Sequence, residues 1–352
     1  MPSTSALPTG NRSKTGSDLR MKAAVITRYG PPEVVQIREV ERPTPKDNEV
    51  LVRVRASTVC AADWRIRKAD PFIVRFFSGL LRPAKVQIGG MELAGTVESV
   101  GKAVTRFAAG DEVFGGTLFK LGTHAEYVCV PEATLALKPV NLPLEEAAAV
   151  FFGGMTVMGF LAHAKIQPGD RVLVYGASGS VGVFAVQVAK HYGAHVTAVC
   201  STANLELVKS LGADEVVDYT KEDFSRAGRV YDMIFDTVGK SGYWRSLRSL
   251  KKRGYYILVA GLGMKWFVLS ILGSLLGGMW ASVTGAAKVV GMPKRGDTTE
   301  RLLFLKQQIE AGKIKTVIER RYSLDEIAEA HRHAEAGHKK GHVLIVFEGG
   351  DG

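Results

Sequence analysis

Residues Arg171 to Gly182, RVLVYGASGSVG, run an apolar stretch straight into a glycine-rich turn and on into a helix-type pattern. No other feature constrains the fold as much, because this order of signals makes a βαβ unit built to hold a dinucleotide. The run Val172 to Tyr175 reads as a buried parallel strand, and Val183, Val186 and Ala189 continue at helical spacing to His191. Gly176 permits the tight turn, Gly179 takes a Cβ out of the path of a pyrophosphate, and Gly182 lets the helix press on its strand. Backbone N–H groups at the helix start, on Ser180, Val181 and Gly182, then face the phosphates at the positive end of the helix dipole. A lone glycine fingerprint is weak evidence, since many such turns bind nothing. Its flanks decide here: His195 to Cys200, Val216 to Tyr219 and Met233 to Asp236 supply three further strand signals at the right intervals.

At 352 residues the chain is too long for one compact core and suggests two domains. A net charge of +11 is compatible with nucleic acid, an anionic membrane surface or an anionic cofactor. No nucleic-acid fold signature or dense Lys/Arg tract accompanies it, so nucleic acid ranks last. Cys60, Cys129 and Cys200 are too few and too scattered for a disulfide framework, and no CxxC pair holds a structural zinc. The expected setting is reducing and cytoplasmic. Residues 1–20, rich in Ser, Thr, Pro and Gly, lack the apolar block of a secretory signal and read as a disordered tail, with a short targeting extension or a cloning remnant as alternatives.

From Lys22 the pattern is short β-type runs, Ala23 to Thr27, Val34 to Glu39, Val50 to Ala56, Gly95 to Val100, Glu112 to Phe114 and Ala125 to Val130, punctuated by Gly and Pro. After Pro143 helix formers take over and strand-helix alternation holds to about Val259. The last block reads as a helix from Thr298 to Gly312, a strand Thr316 to Glu319, a helix Leu324 to Ala336 and a strand His342 to Phe347, a mixture that suits a return to the first domain.

Four stretches together, MKAAVITRYGPPEVVQIREVERPTP, GMELAGTVESVGKAVTRFAAGDEVFG, IQPGDRVLVYGASGSVG and SLDEIAEAHRHAEAGHKKGHVLIVF, make the chain resemble the medium-chain dehydrogenase/reductase superfamily. The likeness is to its zinc-free quinone-oxidoreductase-like branch and covers nearly everything from Met21 to Phe347. It implies an α/β fold in which a GroES-like β-rich catalytic domain, 21–143 and 291–352, is interrupted by a Rossmann domain, 144–290. The active site is then expected in the cleft between them.

The zinc alcohol dehydrogenases of the superfamily hold catalytic zinc with Cys, His and Cys. Here Cys60 in CAAD falls at the first ligand, Met91 in GGME stands at the second, and no cysteine follows Gly115 at the third. A thioether and one thiolate do not make a zinc site, so no metal is expected. Cys60 reads as a small apolar packing residue before a reactive thiol. Without zinc nothing polarises an alcohol for oxidation, which favours reduction of an already electrophilic acceptor, a quinone or an α,β-unsaturated carbonyl. The resemblance puts Thr156 of GGMT beside the nicotinamide and Asp63, Trp64 and Met91 around the substrate cleft. Thr156 reads equally as a helix-interior threonine and Asp63 as a structural hydrogen-bonding residue.

NAD enzymes place an acid at the end of the second strand for the ribose hydroxyls. This chain reads VCSTAN there. Ser201 and Thr202 can hydrogen-bond a 2′-phosphate, which favours NADPH over NADH, while Asn204 stands where several relatives carry a base. Tyr219 matches a family contact to the same end.

Trp266 to Ala287 has no charged residue and is long enough to span a bilayer. Four glycines and its place inside the Rossmann half favour a cap on the cleft or a subunit interface instead. Trp64 to Lys85 mixes apolar and basic residues, as a pocket wall with a solvated edge or a peripheral membrane contact would. The expected enzyme is thus an NAD(P)H-dependent reductase of small lipophilic carbonyls or quinones, monomeric or homodimeric. The alternatives are a nicotinamide-dependent alcohol dehydrogenase and a cofactor-binding membrane adapter with little turnover.

Overall fold

A computed structural model describes residues 20–348, apart from 73, 84–87, 118–119, 227, 229, 260–287 and 295. Residues 1–19 of the expected N-terminal tail and the uncharged stretch Trp266 to Ala287 lie outside the described residues, while Arg20 already opens the strand Arg20–Ile26. Two main sheets carry the fold. One has six parallel strands in the order Glu215–Asp218, His195–Cys200, Arg171–Tyr175, Tyr231–Asp236, Leu250–Leu258, Lys288–Val290. The chain therefore starts in the middle at Arg171–Tyr175, winds outward one way and then crosses to wind the other, which leaves a crevice at the strands' carboxyl ends. Val172, Leu173 and Val174 are shut off from solvent because helices cover both faces of this central strand. On one face Val172, Val174, Val196 and Ala198 pack on Val183, Phe184 and Val186 of the helix Ser180–His191. On the other, Leu173, Val199, Val217 and Ile234 pack with Phe224 and Tyr256.

The second sheet is mainly antiparallel, with strands Glu49–Thr58, Glu92–Val100, Glu112–Gly116 and Leu135–Leu137 in line and Tyr127–Pro131 paired beside Glu49–Thr58. Its far edge comes from the other end of the chain: His342–Val346 pairs antiparallel with Glu49–Thr58, and Ile318–Ser323 lies parallel beyond it. The C-terminal segment thus returns to the β-rich half. The helix Phe151–Leu161 packs against Ser180–His191 on one side and Thr298–Glu310 on the other, so one apolar core runs through both halves. Gly341 stitches them at the glycine-rich turn, donating its N–H to Ser178 O at 2.7 Å. Its φ of 63° and a Val317 carbonyl 2.2 Å from where a Cβ would stand leave glycine as the residue that fits.

Candidate active site and cofactor cleft

The three glycines of the turn differ in what surrounds them. Gly176 has φ 79°, and a Cβ there would meet Val238 and Thr237 side chains at 2.3 and 2.6 Å. At Gly182 a Cβ would meet Gly176 O at 2.2 Å, so the helix lies directly on the turn. At Gly179 the nearest atom to a Cβ is Gly176 O at 3.6 Å, an ordinary contact with open space beyond. A cradle that a side chain could fill without disturbing the protein is the shape a pyrophosphate requires. Gly179 is also the N-cap of Ser180–His191, in extended conformation and with no side-chain cap, so N–H groups of the first turn point into that space.

A residue that sequence reasoning passed over stands at this turn. Lys339, on the loop before Gly341, gives hydrogen bonds to Ser180 Oγ and to Gly341 O, the latter at 3.0 Å. Burial pushes its ammonium below the ordinary lysine range although neighbouring carboxylates oppose that. A basic pair in HKKGH reads as a solvated turn; only the pairing of Gly341 with the glycine turn brings Lys339 inward.

The adenosine end is built differently. Asn204 is buried, and its amide donates to Ser178 Oγ at 3.0 Å and Ser201 Oγ at 3.3 Å, tying the loop after His195–Cys200 to the glycine turn. Asn204 is therefore a brace between loops rather than an open position awaiting a phosphate. Thr202 gives its hydroxyl proton to Asp218. Of the two hydroxyls expected at a 2′-phosphate, only Ser201 keeps its proton to give. Hydrogen bonds from Thr202 and Thr220 hold the Asp218 carboxyl down at about 2, so an anion stands here at any working pH. The sequence offers no acid after the second strand, but folding brings this one in from the end of the third. Tyr219 is half-exposed on a cavity of about 600 Å³ that Tyr175, Thr220, Lys221, Phe224 and Arg245 also line.

In the β-rich half, Cys60 packs with Met91 and Leu121, with Ala62, Ile66 and Phe152 around them. Trp64 faces elsewhere, against the core of the β-rich half, with Arg65 and Lys68 stacked on its ring at 5.3 and 6.0 Å. Both oxygens of Asp63 are committed: Oδ2 accepts from Cys60 N at 2.7 Å at the start of the helix Ala61–Lys68, and Oδ1 from Gly90 N at 3.0 Å. Asp63 thereby clamps the Cys60 and Met91 segments together. Thr156 donates to Phe152 O at 2.6 Å, one turn back along its helix.

Glu92, next to Met91, is the second residue missed. Burial raises its carboxyl to about 7, while Thr58 Oγ1 and Phe152 N, the latter at 2.5 Å, donate to its two oxygens. It thus fixes the start of the helix that bears Thr156 to a strand of the β-rich half. The sequence signal was an acid opening the otherwise apolar run ELAGTV.

The donor set around Cys60 does not fit zinc. Burial and the neighbouring Asp63 hold the Cys60 thiol well above its ordinary range, so a thiolate is disfavoured, and its partners are the Met91 thioether and Leu121. Asp63 and Glu92 spend their oxygens on the hydrogen bonds just described.

Residues 46–140 match the alcohol dehydrogenase GroES-like domain family and 211–345 the zinc-binding dehydrogenase family. The chain is 32% identical over 341 residues to the 2-methylene-furan-3-one reductase of Solanum lycopersicum, covering 92% of this chain and 79% of the relative. The chain belongs to the medium-chain dehydrogenase/reductase superfamily. Within it, the chloroplastic NADPH-dependent alkenal/one oxidoreductase of Arabidopsis thaliana is 30% identical over the same shares of each chain. The solved quinone oxidoreductase of Coxiella burnetii superposes with a TM-score of 0.81 at 27% identity, covering 94% of this chain and 100% of that one. These relatives put the chain in the quinone-oxidoreductase-like branch, an oxidoreductase that uses a nicotinamide cofactor.

Proposed function

We propose that the protein reduces small lipophilic quinones or α,β-unsaturated carbonyls with NADPH, without zinc. The observation that carries this reading is the open pyrophosphate cradle at Gly179, together with a buried apolar cluster of Cys60, Met91 and Leu121 in place of a metal-ligand set, none of which occurs among the described residues. The bound cofactor supplies the hydride. The chain's own residues bind, orient and keep water out. N–H groups of the first turn of Ser180–His191, with Lys339 beside Ser180, offer positive charge to the pyrophosphate. Ser201 offers a donor to a 2′-phosphate and Tyr219 a half-exposed ring to the adenosine end. Thr156 lies on the helix fixed by Glu92 and flanks the reacting ring, while Asp63 keeps the Cys60 and Met91 walls in register. Positioning of this kind is enough for hydride transfer to an acceptor that is already electrophilic. With Cys60, Cys129 and Cys200 all free, we assign the protein to a reducing compartment, the cytoplasm.

A panel of simple quinones, enones and primary alcohols assayed with both cofactors tests the reading. Turnover of NADPH with a quinone or enone, and none of the alcohols with NADP+, is expected. Alcohol oxidation as the faster reaction would replace this reading with a dehydrogenase.

A further inference from the structure

The segment joining Cys60 to Met91 carries an apolar surface that the proposed reaction does not use. It leaves the helix Ala61–Lys68, whose N-cap is Cys60, and returns at Gly90 and Met91, its two ends held together by Asp63. Between them Phe72, Phe76, Leu80 and Leu81 are 56%, 67%, 55% and 88% exposed. Elsewhere among the described residues the large exposed apolar side chains, such as Trp244 and Met292, are scattered singly, apart from the pair Leu137 and Val140. Single exposures are ordinary, whereas a cluster marks an interaction site.

The segment is fastened from beneath. Tyr29 OH bonds Ser78 Oγ at 2.7 Å and donates to Gly79 O at 2.6 Å, so the short helix Val74–Ser78 is fixed to the β-rich half while Phe72 and Phe76 meet edge to face at 6.2 Å. The charges around the patch are predominantly positive. Arg75 lies over Phe72 at 5.2 Å and Tyr29 at 4.9 Å, and Arg82 is exposed with no ion-pair partner among the described residues. Asp70 is the one acid from Trp64 to Arg82. A second copy of the chain laid on this face would set arginines against arginines. An anionic bilayer complements both the apolar side chains and the charge, and the net charge of +11 draws the protein to it.

We propose that this segment is an interfacial surface for anionic lipid, with Phe72, Phe76, Leu80 and Leu81 entering the headgroup boundary and Arg75 and Arg82 meeting lipid phosphates. Docked this way, the protein holds its substrate pocket beside the phase in which lipophilic acceptors dissolve; that consequence rests on the reductase reading, the surface itself does not.

Co-sedimentation of the full chain with phosphatidylcholine vesicles, with and without phosphatidylglycerol, across a salt series tests it. Binding to the anionic vesicles that fades as salt rises is expected. Leu81→Glu combined with Phe76→Glu should remove it, and Arg82→Gln should weaken it about fivefold, equivalent to about 1 kcal/mol. Turnover with a water-soluble quinone should be the same in wild type and in these variants, so loss of lipid binding and failure of the reductase reading are told apart. No binding to anionic vesicles, or retention indifferent to salt, overturns the proposal. So does a wild-type dimer in light scattering that Leu81→Glu converts to monomer without lipid binding in either form.

Discussion

The two ends of the cofactor cleft are built on opposite plans. At the pyrophosphate end the structure leaves space and positive character unspent: Gly179 faces open volume, N–H groups of the helix start have no side-chain cap, and Lys339 reaches in from the other half of the protein. At the adenosine end the polar groups are already engaged with one another, Asn204 with Ser178 and Ser201, and Thr202 with an ionised Asp218. On the proposed reading, the pyrophosphate end is the anchor common to both nicotinamide cofactors, and what would separate NADPH from NADH is a single hydroxyl, Ser201, beside a standing negative charge. Preference for NADPH should be real and small.

The largest effect should come from the turn. Gly179→Val ought to abolish binding of both cofactors while the protein stays folded, since the new side chain occupies open space. Gly182→Val ought to cost the fold itself, because a Cβ there falls 2.2 Å from a backbone oxygen. Cofactor fluorescence titration and circular dichroism separate the two; Gly179→Val with unchanged affinity would leave the turn merely structural.

Next is Lys339→Met. Loss of a charge-assisted contact, worth about 1.5–3 kcal/mol, predicts roughly ten- to hundredfold weaker binding of NADPH and NADH alike. A change confined to one cofactor would move Lys339 away from the pyrophosphate.

Asp218→Asn works on the other end and should be milder, tightening NADPH a few-fold and leaving NADH nearly as it was. Equal dissociation constants for the two cofactors in wild type would break the comparison outright.

Smallest is the pH dependence of stability. Burial holds His342 at about 3, below the 6.5 of an exposed histidine, so its contribution is whole above that value and drains away as pH falls from 6.5 toward 3. Glu92, raised from 4.5 to about 7, runs the other way: its contribution is whole below 4.5 and is lost as pH rises through about 7. Thermal melts should therefore plateau between pH 4.5 and 6.5 and fall away on both sides, His342→Gln flattening the acid limb and Glu92→Gln the decline through neutrality, each by about 2–4 °C.

The strand positions and the glycine turn were legible because period and turn chemistry act locally: His195 to Cys200 appears in the structure with the ends read from the sequence. The residues that went unread act across the chain. Lys339 reaches the turn only because Gly341 bridges to Gly179, a pairing some 160 residues apart, and Asp218 meets Thr202 only because their strands are neighbours. Glu92 likewise earns its role from a helix sixty residues later. Trp64, placed at the substrate by resemblance, packs against the core of the β-rich half, while Cys60 at the start of its helix and Ala62 within it lie in the cluster with Met91.

Hydride transfer in metal-free protein bears most directly on the whole account. The protein is treated with chelator, shown by elemental analysis to carry no stoichiometric zinc, and given an enone with NADPH deuterated at the transferring position. Deuterium on the β-carbon of the product, at the rate of untreated protein, is the expected result. Loss of transfer on stripping, restored by added zinc, would contradict it.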